Sequence, residues 1–270
     1  MTKKAFEGWY FKHQKGQTML AFIPGQAQDG AFLQMLWPRG SRRFHFPQLQ
    51  IDGAALRAGA CRFSGEGCHV ELPGVRGDIA YGPLTPLASD IMGPFRFFPM
   101  ECRHGVLSMA HSLTGSVTID GKTYSFDGGT GYWEKDSGLS FPRSYLWVQC
   151  NTFPEPCAMM ASVAEVPFLG LRFRGCICAV LYRGREYRFA TYRGVRILAA
   201  TRERLSLVQG SLRLDLRMMP TPGHPLLSPA AGKMSVTVRE CCNASLHMRL
   251  WENGRLILDQ RSNEAAYEFI

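Results

Sequence analysis

GYWEKDSGLSFPRSYLWVQCN, residues Gly131 to Asn151, decides how this chain is read. It holds two short extended runs joined by a turn rich in Gly, Ser and Pro. Side chains alternate between faces along a strand, so Tyr132, Glu134 and Asp136 fall on one face and Trp133 and Lys135 on the other. The second run sets Tyr145, Trp147, Gln149 and Asn151 against Leu146, Val148 and Cys150. One face is therefore entirely aromatic or amide-bearing, which is unlike plain core.

Outward from this stretch the same rhythm continues. Ala5 to His13, Met19 to Pro24, Ala31 to Trp37 and Arg43 to Ile51 fit strands of ordinary length, broken by Gly, Pro and Asp turns. Asp120-Gly121 suits a type I′ hairpin. Gly82 to Met100 carries too many prolines for a central strand or long helix and is expected to be a lid or crossover. Leu212, Leu214 and Leu216 alternate with Arg213, Asp215 and Arg217 in a second group of strands. Only Arg261 to Phe269 looks helical. The expected architecture is all-β, with two antiparallel barrel-like units spanning residues 1–117 and 118–270.

Composition narrows the function classes. With 46% hydrophobic residues in 270, a sizeable core can be buried, yet no apolar run reaches the roughly 20 residues of a spanning helix. MTKKAFEGWY has no apolar leader, and nine irregularly spaced cysteines suit reduced thiols, so a cytoplasmic protein is expected. No paired C-x-x-C, H-x-H or H-E-x-x-H spacing calls for a metal. The net charge of +9 comes from arginines spread through strands, without a nucleic-acid motif. It is compatible with peripheral contact with a membrane surface. G-x-S-x-G, G-x-G-x-x-G and P-loop patterns are lacking, so a cofactor-free site is expected.

The candidate chemistry is an acid beside aromatic rings. Glu134 and Asp136 share a strand face, and two close carboxyls in a dry site resist ionising together, so one keeps its proton near neutral pH. Rings stabilise cations by about 2 kcal/mol or more when desolvated. Trp9 and Phe11 alternate with Tyr10 in the first strand, and Glu7 shares the face of Trp9. Among the histidines, His104 and His111 flank VLSMA, and His111 is the catalytic candidate.

The central stretch also resembles the signature of the tocopherol cyclase family, G-Y-x-E-K-x-W-G-x-x-F-P followed by W-x-Q-C-N. FEGWYFK (Phe6 to Lys12), MGPF (Met92 to Phe95), MECRHGVLSMAHSLTG (Met100 to Gly115) and LWENGRLILDQRSNEAAYEF near the C-terminus agree with it. Ser137 departs from the pattern, standing where the family has tryptophan. YWEKDSG is more distantly similar to a run in lipocalin-like carotenoid hydratases. The resemblance implies two lipocalin-like (calycin-type) halves and closure of a chromanol ring on a prenylated quinol, by alkene protonation and capture of the cation by a phenol oxygen. It implies Asp136 or Glu134 as acid, Asp136 first, with Lys135 and Glu7 as tuners. Trp9, Tyr145 and Trp147 would face the cation, Gln149 and Asn151 would bind the head group, and Tyr10 and Trp133 would complete the substrate contacts. The same residues also suit a carrier of an apolar isoprenoid, or an alkene hydratase or isomerase.

Overall fold

The computed structural model describes residues 5–168 and 170–270. A first antiparallel sheet contains β1 (Phe6–Lys15), β2 (Thr18–Ala27), β3 (Gly30–Trp37), β4 (Gly40–Phe46), β5 (Gln50–Asp52), β6 (Ala55–Ala58), β7 (Cys61–Ser64), β8 (Gly67–Leu72), β9 (Val75–Tyr81), β10 (Cys102–Ile119), β11 (Lys122–Ser125) and β12 (Gly129–Gly138). Its order is β4-β3-β2-β1-β12-β10-β9-β8-β7-β6-β5, with β11 beside β10. The second sheet contains β13 (Tyr145–Cys150), β14 (Cys157–Phe168), β15 (Leu171–Tyr182), β16 (Arg185–Ala190), β17 (Arg196–Thr201), β18 (Arg204–Gln209), β19 (Leu212–Met219), β20 (His224–Ala230), β21 (Lys233–Glu252) and β22 (Arg255–Phe269). Its order is β16-β15-β14-β13-β22-β21-β19-β18-β17, with β20 beside β21. Each sheet wraps its own apolar core without closing edge to edge, so the fold is two barrel-like, lipocalin-like halves.

Local sequence accounts for the turns. Asp120 and Gly121 take φ values of 50° and 82°, both positive as a type I′ turn requires. Arg183-Gly184, Ala231-Gly232 and Asn253-Gly254 do the same between β15 and β16, β20 and β21, and β21 and β22. The helical appearance of Arg261 to Phe269 is overridden. Its alanines and glutamates lie in β22, paired with β13 on one side and β21 on the other. The sheets change between Gly138 and Tyr145, whereas the sequence placed the change of half near residue 118, inside β10. The turn signal at Asp120-Gly121 is real, but it returns β10 onto β11 in the same sheet.

Three cores follow from strand alternation. Trp9, Phe11, Phe22, Phe63 and Trp133 fill the first half, with Phe11 and Trp133 stacked at 4.9 Å. Leu146, Val148, Cys150, Leu214 and Tyr267 belong to the second. The third lies between the sheets, where Tyr10, Met19 and Tyr132 meet Tyr145, Trp147 and Met160. β1, β12 and β13 are therefore apolar on both faces, and each buried ring contributes up to about 1.5–3 kcal/mol. All nine cysteines are free thiols.

The proline-rich stretch before β10 crosses to the second half. It ends in a short 3-10 turn, Gly93–Phe97, and buries Ile91 and Met92. Arg188 on β16, 2% exposed, holds it. The guanidinium donates to the Ser89 and Asp90 carbonyls at 2.8 and 2.9 Å and to Ser89 Oγ at 3.0 Å, while Glu186 balances its charge at 2.6 Å. A buried cation is retained only with such partners. Arg188→Ala is expected to cost about 3 kcal/mol. Amide exchange at Ile91 and Met92 should rise far more than exchange in β13. Unchanged protection there would mean that apolar contacts alone hold the crossover.

Candidate active site between the two halves

An apolar cavity of about 200 Å³ opens where the inner faces of the two sheets meet. Its walls include Trp9, Tyr10, Met92, Phe95, Phe141, Trp147, Phe173 and Ile177, and its polar end holds Glu134, Asp136, Glu240, Glu268 and His104. Register explains the convergence. Tyr10 faces Glu134 across the β1–β12 pair, Trp147 faces Glu268 across β13–β22, and Glu240 faces Glu268 across β21–β22. Three glutamates thus come from three strands, and each accepts a hydrogen bond from a buried tyrosine. Tyr132 donates to Glu134 at 2.5 Å and Tyr145 to Glu268 at 2.5 Å, and Tyr10 donates to Glu240. Every pair leaves one carboxyl oxygen unclaimed by its tyrosine.

Burial sets the protonation states. Glu134 is pushed up to about 7 by burial; His104 opposes the rise, Asp136 adds to it, and the Tyr132 hydrogen bond opposes it. Glu268 is also pushed up to about 7, chiefly by burial, against its hydrogen bond from Tyr145 and with Asp136 adding to the rise. Glu240 is raised well above the usual carboxyl range by burial and by Glu268. His104 goes the other way from an ordinary buried imidazole. Burial pulls it down, but Asp136 and Glu134 outweigh that and hold it at about 9. Its Nδ1 lies 2.9 Å from Asp136 Oδ1, and its Nε2 lies 3.4 Å from Glu134 Oε2, near enough to attract but not hydrogen-bonded. Behind the cavity, fully buried Lys12 donates to Gln149 Oε1 at 2.9 Å, and burial lowers its pKa.

The residues singled out from sequence separate into two groups. Glu134, Asp136, Trp9, Tyr10, Tyr145 and Trp147 line the cavity. The others lie outside its lining. Lys135 pairs with Glu7 at 2.5 Å and sits 4.4 Å over the Trp9 ring, on the face of β12 turned from Glu134. Trp133 is core of the first half. Gln149 is engaged by Lys12, and Asn151 donates to the Gly131 and Met109 carbonyls at 2.8 and 3.3 Å, joining the sheets. His111 is packed under Tyr81 with ring centres 4.5 Å apart, and burial lowers it to about 4. A Cβ on Gly131 would meet its Nε2 at 2.2 Å, so that glycine makes room for the ring. Ser137 is buried on the Trp133 side of β12, outside the cavity lining, so the departure from the family pattern lies away from the carboxyl cluster.

Glu240, Glu268 and His104 complete the polar end. His104, Glu134 and Asp136 also offer ligand atoms within 4.8 Å of one another, a composition that suits a divalent ion. The two ring nitrogens of His104, however, each face a different carboxylate. An ion could take one nitrogen only, whereas a doubly protonated ring donates to Asp136 and holds its positive charge 3.4 Å from Glu134.

Residues 76–269 match the tocopherol cyclase-like family. The chain belongs to that family. The match contains the central motif, β10 and both C-terminal glutamates; FEGWYFK lies outside it. A chloroplastic protein of Oryza sativa subsp. japonica named "probable tocopherol cyclase" is 27% identical over 216 residues, 70% of this chain and 44% of that protein. The chloroplastic tocopherol cyclase of Zea mays is 29% identical over 192 residues, 63% of this chain and 40% of that protein. The chain thus spans less than half the length of these curated relatives. The crystal structure of CghA with Sch210972 superposes with a TM-score of 0.65 at 11% identity, covering 98% of this chain and 88% of that one, which establishes likeness of fold.

The His104 pairing has a direct consequence for stability. A histidine raised from 6.5 to about 9 stabilises the fold fully below pH 6.5 and loses that contribution as pH rises towards 9. The stability difference between wild type and His104→Gln should shrink by roughly 1.5 kcal/mol between pH 6.5 and 8. Denaturant unfolding across that range checks it. A difference independent of pH would show that the fold leaves the pKa of His104 unshifted, and one that grows with pH would show that the fold holds it neutral.

Proposed function

We propose that this protein is an intramolecular cyclase of the tocopherol cyclase type, closing a chromanol ring on a prenylated quinol. The observation that carries this reading is the convergence of four carboxyl groups from both sheets on one apolar cavity walled by aromatic rings. Family membership supports it. Neither arginine nor lysine is among the described lining residues, so an anionic head such as a diphosphate would meet His104 as its only cation, among several carboxyls. A neutral head with hydroxyl donors suits Glu240 and Glu268, and an apolar tail suits Met92, Phe95, Phe173 and Ile177.

The step requires an acid that is still protonated. Glu134 fits this role better than Asp136, the sequence's first choice, because Asp136 is engaged by His104. A proton passes from the Glu134 carboxyl to an alkene carbon, leaving a tertiary cation faced by Trp147 and Tyr145. The phenol oxygen bonds to that carbon, and the phenol proton passes to the Glu134 carboxylate, which restores the neutral acid. Substrate and product are isomers, and the enzyme ends as it began. His104 holds Asp136 and tempers the rise at Glu134, while Lys12 opposes the rise at Glu240 from behind.

Purified protein incubated with prenylated hydroquinones should yield a product of the same mass as the substrate. Glu134→Gln should lower turnover by about 10²–10⁴-fold with ligand binding nearly intact. Wild-type turnover should fall as pH rises above about 7, because the donor must be neutral. A product heavier by one water would make the protein a hydratase, and tight binding without conversion would make it a carrier. Wild-type turnover in Glu134→Gln would move the acid to Glu240 or Glu268.

A further inference from the structure

The rim of the cavity carries side chains that the chemistry inside does not use. Phe97 is 74% exposed at the end of the 3-10 turn, and Leu171 is 75% exposed at the start of β15. These two elements are held together beneath the rim, where Phe95 and Phe173 stack with ring centres 6.0 Å apart. Phe98 and Leu139, also exposed, extend the apolar rim towards the turn between the halves. Large apolar side chains on projecting tips cost solubility unless they have a partner.

Charge identifies the partner. Around these tips stand exposed Arg96, Arg103, Arg143, Arg172 and Arg174, against only Glu101 and Glu165 in the same stretches. The Arg96 guanidinium lies over the Phe97 ring at 4.5 Å, and Arg103 donates to the Phe98 carbonyl at 3.3 Å, so charge and apolar surface alternate at the scale of single residues. Apolar tips among arginines match a bilayer interface, with an acyl layer beneath a layer of phosphates. They suit a protein partner less, since the tips form no continuous flat face.

We propose that this rim docks on membranes containing anionic phospholipids, with Phe97 and Leu171 entering the acyl boundary and the surrounding arginines meeting headgroup phosphates. The mouth of the cavity then faces the layer in which an apolar isoprenoid dissolves, and the ligand reaches the site without crossing water. That purpose rests on the function proposed above, but docking is a property of the rim alone. It is therefore tested with no prenyl compound present, and either idea can fail without the other.

The test is flotation of the full chain with vesicles of phosphatidylcholine alone or with about 30% phosphatidylserine. Wild type should float with the phosphatidylserine vesicles and only weakly with phosphatidylcholine. Phe97→Ser combined with Leu171→Ser should lower the partition coefficient on the order of tenfold or more. Leu256→Ser should have no effect, because Leu256 is exposed at the β21–β22 turn, where Glu252 pairs with Arg185 beyond the opposite end of β15. Equal melting temperatures would exclude misfolding as the cause. Wild type failing to float, or the double variant floating as well as wild type, overturns the proposal. So does a concentration-dependent dimer that the double variant abolishes while vesicle binding is absent, since the rim would then be an interface between two copies of this chain.

Discussion

The structure depends on one packing constraint: β1 and β12 of the first sheet lie face to face with β13 and β22 of the second, and these strands are covered on both sides. A strand in that position has no solvent face to which alternate residues can be turned. Tyr10, Lys12, Tyr132 and Glu134 on one side, and Tyr145, Gln149 and Glu268 on the other, must therefore satisfy each other. The tyrosine–glutamate pairs and the Lys12–Gln149 bond are the result. Unpaired, each buried polar group would cost about 1–3 kcal/mol.

The same constraint makes the site chemically useful. Three buried glutamates and Asp136 share little compensating charge, since His104 answers mainly Asp136 and Glu134, and Lys12 lies behind Glu240. Burial then keeps carboxyl groups neutral where an exposed pair would ionise. Retaining polar groups in such a place is poor economy for stability alone, because hydrophobic replacements of similar volume often stabilise. Their convergence on a single apolar cavity between the sheets argues for a chemical role. The Arg188 clamp serves the same region, fixing Met92 and Phe95 as its cover.

Much of this was legible in the sequence, and the limits have physical causes. Period-two alternation correctly separated Tyr132, Glu134 and Asp136 from Trp133 and Lys135, and Tyr145 and Trp147 from Leu146 and Val148. Alternation cannot say which buried face meets the other sheet, so it does not exclude Trp133 from the cavity; nor can it say where along the shared face the cavity ends, so Gln149 and Asn151, which join the sheets beyond it, are not excluded either. Glu240 and Glu268 lie far along the chain from the motif, on two different strands, β21 and β22, and helix-forming neighbours mask the second of these. His104 and His111 could not be told apart by counting, because bulges between Val106 and Ser108 and between Ser108 and His111 reset the alternation of β10. The family resemblance supplied the lipocalin-like architecture, which strand spacing alone did not distinguish from a sandwich.

The central claim is that a carboxyl proton is delivered to carbon, and isotope labelling reads that event directly. A prenylated hydroquinone converted in deuterium oxide should give a cyclised product carrying one deuterium at a carbon that does not exchange, located by NMR beside the new ether carbon. A cyclised product without carbon-bound deuterium, formed while bulk solvent is fully exchanged, would contradict alkene protonation by Glu134 or by any other exchangeable acid in the cavity.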